Sequence, residues 1–578
     1  MTLCPHCKTE FNVTPQDRVF YEKIKVPEPT LCPECRNQRR MSFRNERHLY
    51  QRKCDLCAKP FLSIYESNRA FPVYCYDCWW SDRWDASTFA QTYDPSRPLF
   101  DQLKALFNAV PHLGIVTAHC ENSDYANHIN YSKNCYLIFG CHAAQDCYYG
   151  WRIHDSIQCV DCLQIDKSHY CYECIDCDEC YSLFFSQDCS SCHDSAFLYD
   201  CKSCRDCLFS AGLRNKQYCI FNKQYSKQDY ENEKQKWNFS SNKNLSLTRE
   251  QFQKFLQNYP RRATFILNSE NVTGDHIIHC KNIHLGFNIK NIQDGAYLES
   301  CEDLKDGLDS TFSGWPAELI YECLSAGVNA YNSKFSESSW SCTHIEYCSS
   351  CHHSKELFGC FSLRHKNEYC ILNKPYSPQE YAKLKEKIIE DMTARKEYGE
   401  FFPIELSPFA YNETVAHDYY PITKENALAK GFSWKEPNPK DYQKQTKELL
   451  ACPSCGRNYK IVTQELQFYQ KFNLPIPQHC FNCRHQARMS QRNPRQLWQR
   501  ACSKCKAPIQ TPYSPSRPEK VYCEKCYLEK IYGGKPSPAP FGSSPWSACS
   551  QTRRVKCCTP SCQFIGRASG FPSCSSGF

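Results

Sequence analysis

Between Cys120 and Cys219 there are sixteen cysteines, and every one stands at a residue number divisible by three. A phase kept over that length points to a stacked repeat. Its densest stretch, CYECIDCDECY (171–181), admits four readings: a metal cluster, a redox relay, a covalent staple or the lining of an interior. Separations of 12, 15 and 18 recur, as in Cys141/Cys159/Cys177 and Cys171/Cys189/Cys207, and leave the coil length open. The residue after the cysteine is often aromatic or aliphatic (Tyr136, Tyr148, Leu163, Tyr172, Tyr181, Leu208), and the one before it often Asp or Asn. This suits a narrow solenoid in which a small side chain faces the axis and polar residues turn the corners. The run lacks the x3 spacing and following proline of two-cluster ferredoxins, and nothing marks one thiol as a low-pKa nucleophile. Iron–sulfur or redox chemistry in the ladder stands as the alternative.

A second block, at about 271–370, has fewer cysteines but keeps short aliphatic segments such as NIHLGFNIKNI (282–292). Both blocks end alike: QYCIFNKQYSKQDY (217–230) matches EYCILNKPYSPQEY (368–381), each leading into a charged helical segment. Ser377, Pro378 and Glu380 fit N-cap, N1 and N3 of a helix. Thr248 and Gln251 suggest another helix start in 247–260. GEFFPIELSPFAYNET and the residues after it read as an aromatic arm that docks on the solenoid.

The chain ends carry a duplication. Cys4/Cys7, Cys32/Cys35, Cys54/Cys57 and Cys75/Cys78 recur 448 positions on as Cys452/Cys455, Cys480/Cys483, Cys502/Cys505 and Cys523/Cys526, without insertion or deletion. Two CxxC knuckles complete a tetrahedral Cys4 site, so each copy is expected to bind two Zn2+, about four per chain, in closed structural sites that supply folding energy. Neighbouring pairs in sequence, as in zinc ribbons or treble clefs, are the simplest assignment; a cross-braced one is the alternative.

Between the second and third knuckles five arginines recur at the same displacement: Arg36/Arg484, Arg40/Arg488, Arg44/Arg492, Arg47/Arg495 and Arg52/Arg500. The first four would line one helix face, with Pro494 bending or ending the second copy. Beside Phe43, Tyr50 and Trp498, such a stripe fits phosphate contact and base stacking. Pairing with the protein's own acids, a protein partner, and a solvated face are its other readings.

Forty-five cysteines without a leader-like start indicate a reducing, cytoplasmic setting, with disulfides second. No apolar stretch has membrane-spanning length. The net charge of +8 does not by itself demand a polyanion. Walker, dinucleotide, HExxH and GxSxG motifs are missing from the sequence. His352 and His353, beside Cys348 and Cys351, form a further metal candidate.

With CPHC, FRNERHLYQRKCDLC, VYCYDCWW, NKQYS, NKPYS and GEFFPIELSPFAYNET in one chain, residues 1–532 resemble a family of large, cysteine-rich, zinc-ribbon-bearing bacterial proteins. Some of its members carry a CoA-transferase-like label, for which this chain has no motif. The resemblance implies no assigned activity. The tail, with Cys549, Cys557, Cys558, Cys562 and Cys574, departs from the pattern and reads as disordered.

The expected fold is mainly β and multidomain: two central β-solenoid-like (β-helix) blocks with helical caps, flanked by duplicated double zinc modules. Its segments are a zinc module (1–82), a helical linker (83–116), solenoid (117–222), cap and linker (223–262), solenoid (263–373), cap (374–398), arm (399–445), zinc module (446–532) and tail (533–578). The favoured function is non-enzymatic nucleic-acid binding through the arginines. A protein-assembly scaffold and metal or redox chemistry are the alternatives, with oligomeric state open.

Overall fold

The computed structural model describes residues 2–442 and 449–533; the tail beyond them, with its five cysteines, lies outside. The fold is mainly β, and its central element is a solenoid with coils of about twelve residues, as registers such as Tyr136↔Tyr148 and Cys207↔Cys219 set out. Each full coil has four sides of three residues. The first residue of a side bridges to the next coil: Tyr136 N donates to Cys147 O at 3.1 Å, and Tyr149 N donates back to Tyr136 O at 3.0 Å. The second residue turns the corner with positive φ, as at Asn134, Leu137, Asp146 and Tyr149. The third faces the axis. The left-handed corner costs an L-residue about 1–2 kcal/mol, offset because the corner N–H, otherwise orphaned, is bonded to the previous coil.

Every cysteine of the first block takes the axial position, which explains the phase of three. Residues 171–181 contain one coil in which all four axial residues, Cys171, Cys174, Cys177 and Cys180, are cysteines, and all four are buried. Their thiols donate to backbone carbonyls, for example Cys174 Sγ to Leu183 O at 3.1 Å. All described cysteines are free thiols.

The second block forms one ten-stranded, mostly parallel sheet from Ile266–Leu267 to Lys374–Pro375, with register shifts between Val272 and Gly274 and between Glu302 and Leu304. Both blocks close on an antiparallel turn, Cys219↔Gln224 and Cys370↔Pro375. The asparagine of each NK motif seals the last coil. Asn222 pairs with the N–H and C=O of Ala211 (both 2.8 Å), and Asn373 with those of Phe361 (2.9 and 2.8 Å). These side chains satisfy ladder groups that an open edge would expose.

Helices Lys227–Lys234 and Pro378–Ala394 follow, the latter with the expected Ser377/Glu380 capping box. The helix expected to start at Thr248 runs from Asn242 to Asn258 with Ser241 as N-cap. Ser241 accepts from Asn244 N, so the local cap lies seven residues earlier than the sequence pattern suggests. The arm packs inward through buried Phe401, Phe402 and Tyr411, and Gly399 N donates to Tyr347 OH of the second solenoid at 3.1 Å. Among the described residues no helix is long and apolar enough to cross a membrane.

The duplication extends beyond the paired-cysteine modules. Tyr149 and Asp161 of the first solenoid receive the C-terminal module; Tyr297 and Asp309, 148 positions further on, receive the N-terminal one. Tyr149 OH donates to Glu465 at 2.6 Å and Tyr297 OH to Asp17 at 2.8 Å, and Glu465 is the counterpart of Asp17. Tyr172 packs on Phe468 and Tyr469 as Tyr321 packs on Phe20 and Tyr21. The helix docking is crossed: the helix of each module rests on the solenoid farther from it in sequence, while the residues after it, such as Arg47 over Phe139 and Arg495 at Glu299, reach the nearer one.

Candidate functional site

The sixteen knuckle cysteines gather as four tetrads: Cys4/Cys7/Cys32/Cys35, Cys54/Cys57/Cys75/Cys78, Cys452/Cys455/Cys480/Cys483 and Cys502/Cys505/Cys523/Cys526. This is the sequential pairing, not the cross-braced one. In each module a short hairpin carries the first knuckle and a helix N-terminus the second: Cys32 is N-cap of Pro33–Met41 and Cys480 of Phe481–Met489. The sulfurs across each pair lie 3.6 Å (Cys7/Cys32), 3.9 Å (Cys57/Cys75), 3.7 Å (Cys455/Cys480) and 3.7 Å (Cys505/Cys523) apart. A tetrahedron with Zn–S bonds near 2.3 Å has edges of about 3.8 Å; these edges match it, and all four sulfurs of each tetrad lie within 4.8 Å of one another.

Backbone N–H groups aimed at sulfur favour the thiolate. Cys75 N lies 3.3 Å from Cys54 Sγ, and Cys523 N 3.2 Å from Cys502 Sγ. Burial opposes ionisation of Cys452 and Cys502, yet backbone donors from their own and the facing knuckle bring both thiols down to about 6. An ion held by four protein ligands would have no open position for substrate.

The axial cysteines do not gather in this way. The coil 171–180 forms no convergent ligand group, and neither do His352 and His353 with Cys348 and Cys351. His352 is packed against Trp79 and Trp340, and burial holds it down to about 3.

The arginine stripe requires a correction. Helix Pro33–Met41 ends before Arg44, Arg47 and Arg52, and helix Phe481–Met489 ends before Arg492, Arg495 and Arg500, so no single helical face carries them. Nor are they presented to solvent. Arg36 Nη2 lies 2.7 Å from Asp309 and Arg40 Nη1 2.9 Å from Glu322; these four side chains are at most 1% exposed. Neighbouring Arg39 bridges Glu322 (3.0 Å) and Glu400 (2.7 Å). Arg44 pairs with Glu46 at 2.5 Å, Arg47 donates to Asn482 at 3.2 Å over the Phe139 ring, and Arg52 binds Asp55 at 2.8 Å.

In the second copy Arg484 and Arg488 both hold Asp161, and Arg484 also reaches Glu465 at 3.4 Å. Arg492 binds Asp176 (3.1 Å), Arg495 binds Glu299 (3.1 Å), and Arg500 donates to backbone carbonyls including Ser514 O (3.2 Å). Burial opposes the charge on Arg36, but Asp309 outweighs it and holds the guanidinium proton firmly. Arg47 is the exception, pulled down to about 10 by burial.

Sequence reasoning missed the acids that receive the stripe. Asp161 and Asp309 are corner residues with φ of +55° and +50°, indistinguishable by type or phase from many other Asp corners. Compared with known proteins, the chain matches no family model and no curated protein.

Proposed function

We propose that the chain is a zinc-stapled, non-catalytic scaffold in which two metal modules clamp a pair of solenoids into one rigid unit for protein assembly. The observation that carries this reading is the inward turn of the arginines. Arg36 and Arg40 plug the N-terminal module into Asp309 and Glu322, and Arg484 and Arg488 plug the C-terminal module into Asp161. The closed tetrads add support, since a saturated Cys4 ion organises a fold and leaves substrate no place. Nucleic-acid binding through the stripe has less in its favour, because the guanidinium groups it needs are engaged with internal partners.

The test is metal stoichiometry coupled to compaction. Purified protein is expected to hold four zinc ions in the tetrads. Co2+ exchange should give intense thiolate-to-metal absorption, and chelation should release the modules, raise the hydrodynamic radius and expose the clamp helices, Pro33–Met41 and Phe481–Met489, to protease. Retention of size and protease resistance without metal would sink the reading. A nuclease-treated, salt-titrated assay decides the competing one. Tight nucleic-acid binding lost in Arg40→Glu/Arg488→Glu with the fold intact would restore the arginine stripe as an interface.

A further inference from the structure

One cluster outside the thiolate tetrads also has the geometry of a metal site. Asp176 and Asp188 are corners of successive coils in the first solenoid, and His276 is a corner of the second, with φ of +51°, +55° and +53°. One ligand atom from each of the three lies within 4.8 Å of the other two. His276 Nε2 is 2.9 Å from Asp188 Oδ1, while its Nδ1 is 3.2 Å from Asp275 Oδ2. Asp275 is itself fixed by Phe265 N at 2.7 Å and Asn493 Nδ2 at 3.4 Å. A carboxylate that takes the Nδ1 proton leaves the Nε2 lone pair for a metal, the usual outer-shell arrangement of a ligating histidine.

Asp176 gives the independent sign. Its side chain is 6% exposed, and one oxygen, Oδ2, receives Arg492 Nε at 3.1 Å. Its other oxygen, Oδ1, is buried without a hydrogen-bond partner. Leaving a buried acceptor unsatisfied is costly, more so when it is charged, and a cation shared with Asp188 and His276 would satisfy it. The local charges agree: three carboxylates (Asp176, Asp188, Asp275) face one guanidinium, Arg492, and the His276 ring, whose proton Asp275 and Asp188 favour against its burial when no metal is bound, and a divalent ion that displaces that proton leaves the cluster neutral. In the other half of the duplication Arg44 donates to Ser325 as Arg492 does to Asp176, so that half lacks the carboxylate and the site is single.

We propose that Asp176, Asp188 and His276 bind one divalent transition-metal ion of the oxygen- and nitrogen-preferring class at the seam between the solenoids. Hard carboxylates with one imidazole suit Mn2+, Fe2+ or Zn2+ rather than the soft environment of the tetrads. Three protein ligands leave coordination positions for water. A cavity of about 320 Å³ lined by His276, Asn288, Arg492 and Arg517 adjoins the cluster.

The probe is Mn2+ added to full-length, zinc-replete protein, with total metal counted and bound Mn2+ read by electron paramagnetic resonance. Five ions per chain are expected, zinc and manganese together, with nitrogen coupling on the manganese wherever it occupies the site. Asp188→Asn and His276→Gln should each weaken the fifth ion at least tenfold while four zinc ions remain. A total of four ions overturns the proposal and leaves the scaffold reading standing. So does a fifth ion that both variants retain, or a His276 ring protonated on both nitrogens in metal-replete protein at pH 7, which would make the cluster a salt bridge. Should a variant lose its zinc, the wild-type stoichiometry and nitrogen coupling decide alone.

Discussion

Asp309→Asn tests the clamp at its centre. The buried group around it holds three guanidinium ions, Arg36, Arg39 and Arg40, against three carboxylates, Asp309, Glu322 and Glu400. The substitution preserves shape and removes one charge, leaving an uncompensated guanidinium where Asp309 and Arg40 have no solvent exposure. Breaking a buried pair in this way costs about 3–5 kcal/mol. In a chain of several units a single unfolding energy is poorly defined, so the readout is local. Amide exchange in helix Pro33–Met41 should accelerate by about 10²- to 10⁴-fold, each factor of ten corresponding to about 1.4 kcal/mol. Helix Phe481–Met489, held by Asp161 in the other half, should exchange as before. Asp309→Asn/Arg40→Met restores charge parity and should recover at least half of the lost protection. Exchange within about threefold of wild type in the single variant, or no recovery in the double, would refute the claim that these charges hold the module down.

Three further outcomes follow from the same geometry. Asn373→Ala removes a fully buried side chain that bonds Phe361 N, Phe361 O and Ala86 O, so it should cost about 2–5 kcal/mol and open the last coil, seen as faster exchange of Glu368–Ile371 and a rise in self-association. Cys171→Ala with Cys174→Ala should lower stability by about 1–2 kcal/mol per site and leave the zinc count at four; a lost ion would return the ladder to metal chemistry. Burial pushes Glu346 up, but Lys385 and Lys334 more than offset it and hold the carboxyl at about 2 instead of 4.5. That depressed value contributes about 3 kcal/mol, fully present above pH 4.5 and lost as the pH falls toward 2. The gap in thermal midpoint between wild type and Glu346→Gln should therefore narrow over that window, and a gap independent of pH would contradict the assignment.

The tetrads were legible in the sequence because a CxxC knuckle is local, and the exact register of the two copies excluded chance. The axial role of Cys171, Cys174, Cys177 and Cys180 was legible too, since phase survives where homology does not. Coil length was not: with four equivalent sides per coil, separations of 12, 15 and 18 all keep the phase, and only the pairing of Tyr136 with Tyr148 selects twelve. The arginines' internal pairing was one of the readings the sequence allowed, but their acids were not legible, for a related reason. Arg36 and Arg40 look amphipathic on a short helix, and nothing within fifty residues says that Asp309 waits for them. Asp176, Asp188 and His276 are each an ordinary polar corner; coil stacking aligns the two aspartates, and only the packing of the two solenoids adds the histidine.

The crossed docking leads to a last prediction about how the chain holds together. A break between Ser240 and Ser241 would give two fragments, each with one solenoid and one module, but helices Pro33–Met41 and Phe481–Met489 each rest on the other fragment's solenoid. The N-terminal fragment would carry Arg36 and Arg40 without Asp309, and Asp161 without Arg484; the C-terminal fragment would carry the complements. Each alone exposes unpaired charge beside apolar surface such as Phe20/Tyr21 or Phe468/Tyr469, which in the intact chain rest on Tyr321 and Tyr172. Co-expressed, the fragments should therefore associate one to one and recover the protection of both clamp helices, whereas each alone should aggregate or show modules that open freely. Two fragments that fold separately and ignore each other would show that each module needs only its own zinc, and that the buried arginine pairs follow from docking without securing it.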